Sequence, residues 1–386
     1  MFYFKYYNFF IDSANIILKT NLSIRNILLP LGVSFITFQQ ISFIVDVYRD
    51  KAKECTFQEY ALFIAFFPHI ISGPIITYDD FIPLLRDENH RKLDWDRLAC
   101  GIYMFVLGLG KKVLIADVFM EAVDYGYSSL TTLNTTDAIF ISFAYTMQIY
   151  FDFSGYSDMA VGISKMLNLE LPMNFDSPYK AKTIIEFWDR WHMTLTRFFT
   201  KYLYIPLGGN RKGKTRTWIN TLIVFICSGL WHGASWTFVL WGFLHGVFLV
   251  LTKRFKNYIE RIPSVINWAI TMFFVNATWI LFRAGSFGTF KEMCKVLAAN
   301  NWGNLNAEIS SAFDNFIWGW IPSVPRQYGV CFYIILSVIM VLKCANVREK
   351  AEKLNFTYRS GIFAVVILLL SVLSFSTVNT YIYANF

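Results

Sequence analysis

The chain has 386 residues, of which 55% are hydrophobic, 19% aromatic and only 16% charged, and its mean hydropathy is +0.41. Soluble domains carry about a quarter charged residues, so this composition excludes an ordinary soluble enzyme and describes an integral membrane protein. The formal net charge of +8 comes from 35 basic and 27 acidic residues; the basic ones gather in short stretches between apolar segments, the pattern of membrane topology and not of a nucleic-acid reader.

The first residues, MFYFKYYNFFID, do not make a signal peptide, because they are aromatic-rich, carry Lys5 and Asp12, and lack a small-residue cleavage site. Leu29 to Val47 is a predicted span dotted with Ser34, Thr37, Gln39, Gln40 and Ser42. Such groups in lipid need partners on neighbouring helices, which places this segment inside a bundle. Tyr60 to Ile76 contains Pro68, Gly73 and Pro74, so it reads as a kinked or re-entrant element, with His69 a packing residue. Residues 79–97 are charged and read as an interfacial helix and loop.

Leu98 to Leu114 is a span whose Lys111 and Lys112 are expected to snorkel or to mark its end. Asp137 to Phe151 is the next, with Tyr145, Gln148 and Asp152 at helical spacing. Asp152, Ser154, Tyr156 and Asp158 then cluster around Gly155. An acid at membrane depth is costly unless paired, which makes these four candidates for substrate binding. The alternative is that Asp152 and Asp158 fix the fold by binding backbone or Arg190.

From Asn174 to Arg216 the chain is amphipathic, bounded and interrupted by Pro172, Pro178 and Pro206. On one helix, Trp188 and His192 would share a face at i, i+4, and Glu186 would pair with Arg190. Lys201, Arg211, Lys212, Lys214 and Arg216 follow with no acid between 200 and 216, the strongest cytoplasmic-side signal in the chain. The Gly208-Gly209-Asn210 turn fits no phosphate-cradling pattern.

Residues 217–252 contain no Asp, Glu, Lys or Arg. As one helix they would reach about 54 Å, well beyond a hydrocarbon core of about 30 Å. A hairpin fits, with its break expected at Ser228-Gly229-Leu230-Trp231-His232-Gly233. Non-helical backbone at this depth must be shielded by protein or line a wet cavity, so His232 is expected to face a cavity reachable from both sides. Lys253, Arg254, Lys256 and Arg261 return the chain to the cytoplasmic side. Ser264 to Phe282 then crosses outward, leaving residues 283–326 outside with Trp302, Trp318 and Trp320 as interfacial anchors. Tyr328 to Leu342 returns, Lys343 to Arg359 is cytoplasmic, and Ile362 to Ile382 exits. No repeat or low-complexity linker divides residues 1–386, which form one all-α, polytopic domain. The six cysteines are scattered without a CxxC pair.

Several long motifs occur in series: LPLGVSFITFQQISFIVDVYR (29–49), FPHIISGPI (67–75), FDFSGYSDMA (151–160), NFDSPYKAKTIIEFWDRWHMTLTRFF (174–199), YLYIPLGGNRKG (202–213), SGLWHGASW (228–236) and LFRA (281–284). From about Phe4 to Phe282 the chain thereby resembles the membrane-bound O-acyltransferase (MBOAT) family. Within it, the resemblance is to the bacterial branch that O-acetylates alginate and other exported polysaccharides, a cousin of the teichoic-acid D-alanyl transferases. The resemblance implies a multi-helix bundle with broken and re-entrant helices around a central tunnel, in the bacterial inner membrane. It also implies that spans usual in the family before the FKYYNFF segment are missing here.

Acyl transfer to a hydroxyl needs a base for the hydroxyl proton and a polar group for the oxyanion. A neutral imidazole can be that base without a resident charge in the membrane. By resemblance, His232 is the general base and His192 an orienting or substrate-binding group. The tryptophans 188, 191, 231, 236 and 241, with Trp188 and Trp231 foremost, either line a tunnel for a thioester tail or sugar or simply pack the bundle. His245, four residues after Trp241, is read as structural. Metal binding is disfavoured because HxxxH and HExxH spacings are absent, and no GxSxG elbow supports a serine nucleophile. The resemblance implies acetyl-CoA as acyl donor with no bound cofactor, an exported polysaccharide as acceptor, an extracytoplasmic hydrolase-like acetyltransferase as partner, and no nucleic acid. Three rivals remain: D-alanyl transfer to teichoic acid; a transporter or channel for an activated donor, which would account equally for buried polar groups and broken helices; and a structural subunit holding a separate acetyltransferase.

Overall fold

The computed structural model describes residues 1–52, 54–70, 73–314, 326–353 and 357–375, and among these the regular secondary structure is helical, with an isolated antiparallel bridge between Phe175 and Trp191. Helix starts are set by local side-chain caps. Thr56 with Glu59 and Asn134 with Asp137 form reciprocal capping boxes, and the Ser235 hydroxyl accepts from the Thr237 N–H. The helices used below are α1 (Tyr7–Leu18), α2 (Val33–Tyr48), α3 (Phe57–Ala65), α4 (Tyr78–Arg86), α5 (Trp95–Ser128), α6 (Thr135–Met166), α7 (Ile184–Arg190), α8 (Met193–Phe199), α9 (Lys214–His232), α10 (Trp236–Arg254) and α11 (Ser264–Ala284). Three of them, α5, α10 and α11, are long and apolar enough to cross a membrane; Val33–Tyr48, Tyr328–Leu342 and Tyr358–Leu373 are shorter apolar helices. The protein is an all-α, polytopic membrane protein. The expected anchors Trp318 and Trp320, and the end of the expected last span, lie outside the described residues, while Trp302 is exposed.

Two helix pairs approach so closely that only glycine fits between them. Between α5 and α6 the contacts are Gly101 against Gly162 and Gly108 against Gly155. A Cβ on Gly101 would lie 2.6 Å from the Gly162 carbonyl oxygen, and one on Gly108 2.6 Å from that of Gly155. Each helix places its two glycines seven residues apart, two turns, so both contacts fall on one face of an antiparallel pair. In the α9–α10 hairpin, a Cβ on Gly229 would lie 2.2 Å from the Phe238 carbonyl oxygen, and one on Gly242 2.2 Å from that of Phe225. Gly229 therefore serves helix packing, and the expected break moves: α9 runs on through His232, and the chain turns at residues 233–235.

Lys111 and Lys112 neither end α5 nor snorkel out of it. The helix continues to Ser128 through a π-helical turn at Lys112–Ala116, and both ammonium groups are held by carboxylates. Lys111 Nζ lies 2.7 Å from Asp158 and 3.4 Å from the Ser154 hydroxyl, while Lys112 Nζ lies 2.8 Å from Asp152 and 2.6 Å from Asp117. Arg190 is not their partner. It pairs with Glu186 at 2.9 Å, as the i, i+4 spacing predicts, and reaches Asp176 at 3.7 Å.

Replacing Gly229 or Gly155 by Val should lower the thermal midpoint in detergent by the equivalent of roughly 1–3 kcal/mol of overpacking or prevent insertion. Gly361→Ala, where nothing lies within 4 Å, is the neutral control. Lys111→Met should destabilise by roughly 3–5 kcal/mol, because Asp158 is left buried and unpaired. The double variant with Asp158→Leu should recover most of that loss, measured by the same thermal assay.

Candidate active site

His192 occupies a backbone position that few side chains tolerate. Helix α7 stops at Arg190 because Trp191 is extended and bridges to Phe175, and His192 itself is left-handed, with φ 47° and ψ 49°. Trp188 and His192 therefore do not share a helix face, contrary to the i, i+4 reading; the bridge turns the chain between them. The conformation is held from both sides. Asp176 N–H donates to the Arg190 carbonyl (3.0 Å), and Met193 N–H donates to that of Asn174 (3.0 Å). The Thr194 hydroxyl donates to the Asn174 side chain (2.6 Å) and accepts from the Ile75 N–H (2.9 Å). Thr194 thus ties the start of α8 both to Asn174 and to the chain that follows α3, a link that the NFDSPY and RWHMTL motifs did not reveal.

The second imidazole arrives on the last residue of α9. The ring centres of His192 and His232 are 6.2 Å apart at 60°, edge to face. Aromatic rings enclose the pair: Trp231, Trp241 and Phe282 lie 5.0, 5.3 and 5.3 Å from His232, and Phe153 of α6 lies 4.7 Å from His192. His232 is 2% exposed and His192 fully buried. The expectation of a His232 ring open to both sides is not met among the described residues, whose aromatic side chains surround it and leave it 2% exposed.

The cage is apolar in shape but not in its atoms. Neither ring nitrogen of His192 has a hydrogen-bond partner among the described residues, nor do the indole N–H groups of Trp231, Trp241 and Trp279. Buried donors and acceptors are ordinarily paired, so such a concentration of unpaired ones marks a place built to engage a polar guest. An imidazole nitrogen can take a proton, and indole N–H groups can donate to a carbonyl oxygen that becomes negative.

His245 contrasts with the pair. Its Nδ1 accepts from the Trp188 indole (3.2 Å), which leaves the proton on Nε2 to meet the Thr278 hydroxyl (2.9 Å). Both nitrogens are used, consistent with a structural residue that fixes Trp188 one ring away from the cage, where Trp188 stands 5.8 Å from Trp241. His69 is likewise occupied by the Gln39 amide. Of the sequence candidates, the structure brings together His192, His232 and Trp231, with Trp188 behind them. Asp152, Ser154 and Asp158 face the lysines of α5, and Tyr156 sits half-buried on the same helix. Among the described residues, no group of three or more His, Cys, Asp or Glu could hold a metal ion.

Two cavities flank α8. The larger, about 570 Å³, touches Met193 and Thr194 directly after His192, and carries Arg197, Lys201 and Arg348. The smaller, about 230 Å³, shares Trp188, Asp189, Thr196 and Thr200 with it and adds Lys253. Lys201, Lys253 and Arg348 come from the three basic stretches that charge alone assigned to the cytoplasmic side. The cations are not all free: Lys201 pairs with Asp46, Arg197 with Asp80, and Arg348 with Glu352.

Comparison with known proteins gives the family of the chain. Residues 47–287 match the profile of MBOAT, the membrane-bound O-acyltransferase family. The whole chain aligns at 33% identity with 80% of a peptidoglycan O-acetyltransferase of Helicobacter pylori. Over 73% of its length it is 41% identical to 55% of a probable alginate O-acetylase of Pseudomonas aeruginosa, so it spans about half the length of that relative. A teichoic acid D-alanyltransferase of Bacillus subtilis is 27% identical over 279 residues, 68% of this chain and 71% of the relative. With the family profile covering more than half of its residues, the chain belongs to the membrane-bound O-acyltransferase family.

Proposed function

We propose that the chain transfers an acetyl group from a cytoplasmic thioester, acetyl-CoA, to a hydroxyl on the way to an exported glycan. His232 is the general base, and His192 orients the reacting hydroxyl. The observation that carries this reading is the pair of buried imidazoles 6.2 Å apart, in a cage whose indole N–H groups lack partners among the described residues. One hydroxyl can lie between two such rings, held by an N–H of His192 while it gives its proton to His232. Its oxygen adds to the thioester carbonyl, the C–S bond breaks, and the proton passes from His232 to the departing thiolate, which leaves as the CoA thiol. The indole groups of Trp231 and Trp241 supply donors for the carbonyl oxygen as it gains charge. Neither ring needs to carry a charge before the reaction starts, which suits a site enclosed by aromatic side chains.

The cavities beside α8 suit the donor. A thioester carrier is anionic, and these spaces gather basic residues from three segments next to the residues that follow His192. The relatives support a glycan acceptor. A relative that aligns with the whole chain is a peptidoglycan O-acetyltransferase, which favours a cell-wall glycan over alginate. An extracytoplasmic hydrolase-like acetyltransferase receives the acyl group or completes its transfer, and the chain sits in the inner membrane of a bacterium. Tyr156, Ser154, Asp152 and Asp158 support this site from α6, through Phe153 at His192, instead of touching substrate.

His232→Ala should insert normally and lower acetyl transfer by about 10²–10⁴-fold, the usual contribution of a general base. Ester-linked acetate released from the envelope glycan by mild alkali measures it, and full acetylation with normal insertion would remove the mechanism. Lys253→Glu should raise the donor KM about tenfold with kcat nearly kept, and the increase should shrink at high ionic strength.

A further inference from the structure

Helix α9 ends at the candidate base, and its final carbonyls cannot be satisfied within the helix. The Gly233 N–H returns to the Gly229 carbonyl at 3.3 Å. The next three carbonyls are taken by two side chains more than 220 residues away in sequence. The Tyr6 hydroxyl donates to the Leu230 carbonyl (2.9 Å), and the Lys5 ammonium donates to those of Trp231 (2.5 Å) and His232 (3.2 Å). Lys5 also reaches the Ser34 hydroxyl of α2 (3.3 Å) and stands 5.8 Å from the centre of the Trp231 ring.

The same segment holds the other side of the break. Phe9 packs on Trp236, the first residue of α10, at 5.4 Å, and the Ser13 hydroxyl accepts from the Trp236 indole at 3.1 Å. Lys5, Phe9 and Ser13 follow one another at intervals of four, one face of a helix. That face straddles residues 233–235. A cation at a helix C-terminus also meets the negative end of the helix dipole, and its hydrogen bonds are charge-assisted.

We propose that Lys5 is a positioning residue for His232: by holding the carbonyls of Trp231 and His232, it fixes the last turn of α9 and with it the imidazole relative to His192. The proposal rests on the reading of His232 as the base. Without the ammonium, the carbonyls of Trp231 and His232 lose their side-chain donor while Tyr6 still holds that of Leu230, and His232 leaves its place opposite His192. A misplacement of about 1 Å can cost on the order of a hundredfold in rate.

The test uses the full chain in lipid nanodiscs, with Lys5→Met, Lys5→Arg and Tyr6→Phe. Acetyl-CoA turnover with its kcat and KM, the thermal midpoint, and the imidazole signals of ¹⁵N-histidine-labelled protein are measured. His232 is assigned by its loss in His232→Ala. Lys5→Met should lower kcat about 10- to 100-fold while the donor KM and the midpoint stay close to those of the parent, and Lys5→Arg should restore most of the turnover. The His232 signals should move in Lys5→Met, and those of His245, anchored by Trp188 and Thr278, should not. Unchanged kcat with unchanged His232 signals overturns the proposal. So does a loss of kcat that tracks the midpoint, with His232 unmoved or with no rescue by Arg. Should Lys5→Met not insert, Tyr6→Phe decides, because it removes one hydroxyl and must still shift His232 and slow turnover. If His232→Ala itself retains activity, the base reading fails on its own, while the histidine spectrum still reports whether Lys5 places the ring.

Discussion

A helix that stops among apolar neighbours leaves carbonyl groups that only the protein can satisfy, and this site is built around one such stop. The turn at 233–235 frees the end of α9, and the partners recruited to it, Lys5 and Tyr6, come from the N-terminal segment, which is itself tied to α2 through Ser34 and to α10 through Trp236. Once that end is held, His232 has a fixed place. Trp231 and Trp241 close around it, and Phe282 of α11 completes the far side. His192 then needs a backbone that points its ring back at the cage, and the bridge at Trp191 with the left-handed residue after it provides that. Two interruptions of helical order, 40 residues apart in the sequence, thus converge on one pair of rings.

The charges of α5 and α6 serve the same site from behind. Burying an ion pair costs desolvation that its attraction repays only with good geometry, so such a pair is weak support for stability but a strong determinant of register. Lys111 and Lys112 each meet a carboxylate of α6, on either side of Gly155. A slide of one helix along the other would break both. Phe153, which lies between the two acids in sequence, packs on His192, so the register that the ion pairs define is also the position of one wall of the site.

Much of this was legible before any coordinates. The uncharged run at 217–252 is too long for one crossing, and it folds as the hairpin that length demands. Glu186 and Arg190 pair at helical spacing, His245 is structurally satisfied beside Trp241, and the motif histidines 192 and 232 meet. What failed did so for physical reasons. Periodicity assumes that a helix continues, and nothing local announces that Trp191 will pair with Phe175; the shared face of Trp188 and His192 was lost there. Lysines in an apolar helix read as an end when their partners sit on another element, because sequence distance hides Asp158 from Lys111. Gly229 read as part of the break, whereas it is there for the close passage of Phe238 and the chain turns only from Gly233. The link from Lys5 to the end of α9 joins residues 226 and 227 positions apart and left no local signal at all.

Gly155 shows how tightly packing and charge are bound together in this bundle. A single methyl group there would meet the Gly108 carbonyl at 2.7 Å, the Lys112 amide at 3.1 Å and the Lys111 Cβ at 3.2 Å. One of the two tightest points of the α5–α6 seam is therefore also the point where its two cations leave the backbone. Widening the seam would move both ammonium groups off their carboxylates, so a purely steric change at a residue with no side chain would surface as an electrostatic defect.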